Sequence, residues 1–231
     1  MSSLGRGNRR VIDEEENMYN LGRGSSERLG CDKGLIDLAG KPLIQHVYDR
    51  VRGYVDEVLI VVSSAEQRKR YSRLFPSSVK VLMDIDDGRC PLIGALTGFM
   101  EAEGIHSILL PCDTPFISGD VIELLFEAAF NVNASIPRWP NGYIEPLQAV
   151  YRTRPALKAA EIAFRNGERR MQSMISRLRR VRYISTIALR EFDPHLLSLF
   201  NVNTPLDLRR AERLIGASRR REPSHGARSD P

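Results

Sequence analysis

The chain has little with which to make covalent or metal cross-links. Of its 231 residues three are cysteines, Cys31, Cys90 and Cys112, an odd number with no Cys-x-x-Cys or neighbouring His spacing. That excludes a disulfide framework and a zinc site, and the three read as reduced thiols. No apolar run approaches the ~18 residues that span a bilayer, and residues 1–20 lack the apolar core of a signal peptide. The expectation is a cytoplasmic protein with no membrane partner. Four histidines, His46, His106, His195 and His225, are scattered, so no Ser-His-Asp or Cys-His arrangement is laid out. His46 reads as an ordinary helix-face residue. Aromatics make up 7% of the chain and are scarce between Arg152 and Arg190, where eleven Lys or Arg stand against Glu161 and Glu168. Such an excess favours an anionic partner. Without aromatic interleaving or a nucleic-acid-binding motif, nucleic acid is not expected.

What remains is 42% hydrophobic and 27% charged residues, enough for one sizeable α/β domain. Residues 1–16 and 216–231 are rich in Gly, Ser, Arg and acids or Pro, and read as disordered tails around a domain spanning 17–215. Within it, strand-like runs (58–63, 79–84, 107–112) alternate with helical ones (41–53, 65–75, 91–103, 118–130), which implies parallel strands and right-handed crossovers with helices on both faces. Further on, 134–138 and 147–152 read as strands around the Pro140-Asn141-Gly142 breaker. Segments 155–166 and 168–178 read as helices, 181–186 as a strand, and 205–215 as a helix capped by Thr204.

Two segments carry chemistry. Ser107-Ile-Leu-Leu-Pro-Cys-Asp-Thr-Pro115 is a strand buried on both faces that ends in a carboxylate, Asp113. Ligands gather at such ends, and a lone carboxylate without His or Cys suits a hard cation such as Mg²⁺ shared with phosphates. Asp113 reads equally as the cap of the following helix. The second segment runs from Leu21 to Leu35 and contains Gly22, Arg23, Gly24, Ser26, Arg28, Gly30 and Lys33. Its glycines let backbone N–H groups turn towards an anion, and Arg28 and Lys33 add charge. It is neither a Walker A motif nor the dinucleotide fingerprint.

Ser26-Glu-Arg-Leu-Gly30 with Asp32-Lys-Gly-Leu35, then Gly40-Lys-Pro-Leu43, resembles the nucleotide signature of the molybdenum cofactor guanylyltransferases of the MobA family. Matching pieces follow in the same order: Lys80 to Asp84, Pro91 to Gly94, Pro111 to Phe116, Gly167 to Arg170, and Phe200 to Pro205. The resemblance implies a three-layer αβα, Rossmann-like nucleotidyltransferase domain with a mostly parallel sheet. It implies an enzyme that transfers GMP from GTP to the terminal phosphate of molybdopterin or Mo-molybdopterin, with Mg²⁺, and that has molybdoenzyme apoproteins or other cofactor-biosynthesis proteins as partners. By it, Leu21, Gly22, Arg23 and Gly24 lie against the nucleotide, and Ser26, Arg28 and Gly30 shape the phosphate loop. Lys33 meets the phosphates, Ser63 lies near the base, Asp84 contacts the guanosine part and Asp113 holds the metal. Arg169, Arg170, Asn201 and Asn203 fall on the molybdopterin side. Catalysis would rest on Lys33, Arg28 and Asp113.

The chain departs from the family at Arg23, where a glycine is usual, at Cys90, where a glycine is expected before Pro91, and at Ser63, where an Asn is frequent. A polar stretch, Glu14 to Asn20, also stands where an apolar first strand should precede the loop. These departures leave open a cytidylyltransferase, a nucleotidyltransferase for another acceptor phosphate, or a homologue that binds the cofactor with impaired catalysis. Glu145, before Pro146, is a second candidate acidic site residue, and Trp139 reads as a packed loop aromatic.

Overall fold

Val58-Leu-Ile-Val-Val62 is buried at all five positions, and the alternation of its side chains explains why. Val58, Ile60 and Val62 enter one apolar layer while Leu59 and Val61 enter another, as a strand covered on both faces requires. The computed structural model describes residues 10–13, 32–86 and 90–221. In chain order these form strand β1 (Arg10–Asp13), strands β2 (Asp37–Leu38) and β3 (Lys41–Pro42), helix α1 (Leu43–Val51), β4 (Val58–Val62), α2 (Ala65–Tyr71), β5 (Lys80–Met83), α3 (Pro91–Glu101), β6 (His106–Pro111) and α4 (Gly119–Ala128). Then come β7 (Ala134–Arg138), β8 (Ala149–Arg152), α5 (Thr153–Arg165), α6 (Met171–Ile175), β9 (Val181–Ser185), α7 (Thr186–Leu189) and α8 (Pro205–Arg221).

Among the described residues, seven strands make one sheet in the order β5-β4-β1-β6-β8-β7-β9, in which β8 alone runs against its neighbours. Helices α1, α2, α4 and α7 contribute to the layer on one face; α3, α5 and α6 cover the other. A smaller cluster of Leu38, Leu43, Phe116, Val202 and Ala211 ties α8 to the β2–β3 hairpin. This is the three-layer, mostly parallel α/β architecture expected from the alternation of elements. The chain proceeds outward from β1 through β4 to β5 and then crosses to β6 on the other side of β1. The switch point, where ligands bind on such sheets, therefore lies between the carboxyl ends of β1 and β6.

Two boundaries differ from the sequence reading. Residues 10–13, read as part of a tail, pair with both β4 and β6: Val11 stands opposite Leu59 and Leu109, and Ile12 opposite Ile60 and Leu110. The first strand thus lies upstream of the polar stretch at 14–20. Averaged composition hid it, because two β-branched residues are diluted by the Gly, Arg and Glu around them, and its pairing comes from strands roughly fifty and a hundred positions away. At the other end, α8 runs to Arg221 rather than stopping at 215. A single Gly216 weakens a helix without ending it, and the next proline is Pro223. Among the described residues, no helix is long and apolar enough to cross a membrane.

Candidate active site

The strand β6 delivers Asp113 to the switch point. Thr114, fully buried, donates its hydroxyl to the carbonyl of Pro111 at 3.0 Å and so closes the turn after the strand. Helix α4 is capped by Ser118, whose hydroxyl accepts from the Val121 amide, so the alternative in which Asp113 is the cap does not hold. Asp113 is 2% exposed. Its Oδ2 accepts from Lys33 Nζ at 2.5 Å, and its Oδ1 is buried with no hydrogen-bond partner among the described residues. Lys33 Nζ also donates to Asn203 Oδ1 at 2.5 Å. Three residues named from sequence, separated by 80 and 170 positions in the chain, thus share one point.

Each is held from behind. Lys33 opens a 3₁₀ turn, Lys33–Leu35, and the preceding Asp32 accepts from the hydroxyl of Tyr71 at 2.7 Å. Tyr71, at the end of α2, is fully buried. Asn203 leads into α8. There Thr204 and Asp207 exchange bonds: the Thr204 amide and hydroxyl donate to Asp207 Oδ2, and the Asp207 amide donates to Thr204 Oγ1. This reciprocal cap satisfies the first amides of the helix and also receives the Asn203 amide. The amide of Val202 donates to the carbonyl of Asp113 at 2.9 Å, which fixes the Asn201–Asn203 segment against the end of β6. Asn201 turns its amide oxygen to Gln148 Nε2 at 3.4 Å. Among the described residues neither Asn side chain has a local backbone bond, the arrangement a purely structural turn would use.

On the β4–β5 side lie Ser63 and Asp84. Ser63 follows β4, is exposed, and donates its hydroxyl to Gln67 Oε1 at 2.8 Å. Asp84 follows β5; its amide donates to the Val62 carbonyl, and its Oδ1 accepts from the Thr97 hydroxyl of α3. Burial pushes the Asp84 carboxyl up to about 6, against the opposing pull of the Thr97 bond. On the β8–β7 side a cavity of about 370 Å³ is bordered by Glu145, Gln148, Arg169, Arg170 and Asn201. Arg169 is committed to protein: it donates to the carbonyls of Phe164 and Glu168, and its guanidinium lies 4.8 Å from the centre of the Phe164 ring. Arg170 immediately precedes α6. Glu145 accepts from the Trp139 indole at 2.7 Å; burial raises its pKa, and the charge of Asp113 adds to the rise.

Two further arginines of the basic segment have structural work. Arg177 makes two bonds of 2.9 Å to the Glu168 carboxylate, and Arg182 donates to the Ala128 carbonyl. Leu21, Gly22, Arg23, Gly24, Ser26, Arg28 and Gly30 lie outside the described residues. The residues that sequence reasoning passed over are Tyr71, Gln148 and Asp207. Only Asp207 carried a signal, Thr204 followed three residues later by an acid. No local pattern marks a buried tyrosine that reaches a carboxylate 39 positions away.

A divalent cation fits the donor set. A hard carboxylate oxygen, Asp113 Oδ1, is buried and without a hydrogen-bond partner among the described residues, and such an oxygen suits an ion held by one carboxylate and the phosphates of a substrate.

The family described as "MobA-like NTP transferase domain" matches residues 21–181. A protein of Methanosarcina mazei named "Probable molybdenum cofactor guanylyltransferase" is 30% identical over 204 residues, which cover 85% of this chain and 88% of that one. The "Molybdenum cofactor guanylyltransferase" of Desulfosudis oleivorans is 31% identical over 201 residues, 86% and 95% of the two chains. Among solved structures, molybdopterin-guanine dinucleotide biosynthesis protein A from Archaeoglobus fulgidus superposes with a TM-score of 0.74 at 27% identity, covering 90% of this chain and 99% of that one.

Proposed function

The chain belongs to the MobA-like NTP transferase family, and from that premise we propose that it transfers GMP from GTP to the terminal phosphate of molybdopterin or Mo-molybdopterin, releasing pyrophosphate. The observation that carries this reading is the Lys33–Asp113–Asn203 contact at the switch point of the sheet. It is supported by the names of relatives that align over most of their length.

In the proposed reaction a phosphate oxygen of the acceptor attacks the α-phosphorus of GTP in line, and the bond from that phosphorus to the oxygen bridging to the β-phosphate breaks. The attacking phosphate is already an anion near neutral pH, so no proton need be taken from it. The protein's tasks are alignment and neutralisation of charge. Lys33 supplies a cation to the triphosphate, with Asn203 fixing the direction of its ammonium group. Asp84 and Ser63, on the β4–β5 side, face the nucleoside; a carboxylate accepts from the ring N–H and amino group of guanine. Arg170 meets negative charge on the acceptor. Asp113 would hold Mg²⁺, which when bound neutralises phosphate oxygens and stabilises charge in the transition state. The loop at 21–30 is proposed to wrap the phosphates with Arg28 and its backbone amides. Delivery of the product to molybdoenzyme apoproteins, in the cytoplasm, belongs to the same proposal.

The test is pyrophosphate release by the full chain with Mg²⁺ and molybdopterin, with GTP, CTP and ATP supplied in turn. Release confined to GTP is the expected result. Release confined to CTP would reassign the base, and tight GTP binding without release would overturn the catalytic reading.

A further inference from the structure

Glu145 stands in the cavity on the acceptor side, and the function just proposed gives it no task. Three hydrogen bonds fix its position. Its amide donates to the Pro137 carbonyl at 3.0 Å, its carbonyl accepts from the Gln148 amide at 3.2 Å, and its Oε1 accepts from the Trp139 indole at 2.7 Å. Trp139 in turn packs against the main apolar layer. A carboxylate held by backbone on both sides and by a packed ring has lost its rotamer freedom before any ligand arrives, the condition for a recognition group.

The second oxygen, Oε2, receives no donor among the described residues, and the residue borders the cavity together with Tyr143 and Gln148. Withdrawing a carboxylate from water costs free energy unless donors replace the water. No arginine or lysine among the described residues pairs with it, although Arg169 and Arg170 border the same cavity. A partner that brings two adjacent neutral donors completes the site, because an ionised carboxylate offers about four lone-pair positions, and one is used by Trp139.

We infer that Glu145 is a specificity residue for the acceptor, reading the paired donors, ring N–H and exocyclic amino group, of a 2-amino-4-oxopyrimidine edge such as that of a pterin. Resting on the acceptor proposed above, it names the side chain that separates a ring bearing the amino group from one bearing an oxo group there. Guanine carries the same edge. The pterin is the assigned source because Glu145 lies on the β7–β8 side of Asp113, whereas Asp84 and Ser63 occupy the β4–β5 side. Arg170, which makes no ion pair among the described residues, is left for the anionic part of the same ligand.

The experiment uses the full chain and two fluorescent probes that differ at one position, 6-hydroxymethylpterin and 6-hydroxymethyllumazine, the latter with an oxo group in place of the amino group. Binding is titrated by fluorescence for the wild type and for E145Q, which keeps an oxygen for the Trp139 bond. The wild type is expected to prefer the pterin by about 10- to 100-fold, the range of a hydrogen bond to a charged group. In E145Q the ratio should fall close to one, with the melting temperature retained. A wild-type ratio near one, or no pterin binding, overturns the inference without recourse to the variant. An unchanged ratio in folded E145Q also overturns it. Parallel titrations with GTP and ITP distinguish the two sources: loss of the GTP preference in E145Q, with the pterin ratio intact, would move Glu145 to the nucleotide and refute the assignment. The function itself is tested separately. Absence of pyrophosphate release in a wild type that still distinguishes pterin from lumazine would overturn the transferase reading and leave Glu145 as the reader of the donor edge.

Discussion

Replacing Lys33 by Ala removes a side chain that touches both Asp113 and Asn203. The Lys33 and Asp113 side chains are 12% and 3% exposed, so the pair is mostly withdrawn from water. With the ammonium gone, Asp113 keeps no hydrogen bond to either carboxylate oxygen among the described residues. Removing one partner of a buried pair costs ~3–5 kcal/mol, and partial solvation of the lysine end places this case at the lower limit, ~3 kcal/mol. For a chain of this length that lowers the melting temperature by about 6–12 °C. The kinetic loss is separate. One preorganised donor aimed at developing charge contributes ~2.7–4 kcal/mol, a fall of about 10²–10³ in kcat. The assay is pyrophosphate release at saturating GTP and molybdopterin on protein shown by melting to be folded, with K33R as a control for charge. A fall of less than tenfold in folded K33A would refute the assignment of Lys33 to the phosphates. An unchanged melting temperature would refute the buried ion pair.

Other expectations follow from the same geometry. Asp113→Asn keeps an oxygen for Lys33 but removes the charge beside the unpartnered position; Mg²⁺-dependent turnover should fall by more than about 10²-fold, and retention of the wild-type Mg²⁺ midpoint would refute the metal assignment. Tyr71→Phe leaves Asp32 without its hydroxyl donor and should cost ~1–3 kcal/mol in a urea titration, with kcat reduced more than the KM for GTP. Asp84 has a folded-state pKa raised from 3.8 to about 6. Its contribution to stability is therefore greatest below the unfolded value and is lost as pH rises from about 4 through 6. Asp84→Asn should gain in melting temperature relative to wild type across that window and hold the gain above it. A difference independent of pH would refute the raised pKa.

Several features were legible in the chain itself because they depend on local pattern. Continuous apolar runs at 58–63 and 107–112 mark strands covered on both faces, and Thr204 marks the start of the last helix, since an apolar run and a helix cap are patterns of neighbouring residues. The order of motifs around Lys33, Asp84 and Asp113 pointed to one nucleotide site, with Asn201 and Asn203 on the molybdopterin side. Three matters were decided only by the tertiary structure. The central strand at 10–13 exists because two distant strands supply its hydrogen bonds, a stabilisation that composition does not register. The choice between helix cap and site residue at Asp113 was made by Ser118, which took the cap, and by Lys33, which folded back across 80 residues to the carboxylate. Glu145 acquired a fixed orientation through Trp139 and the backbone on either side. Sequence specified which side chains carry charge; packing of α2, α8 and the β7–β8 connection specified where those charges meet, because a contact between distant residues is set by the layers that hold them.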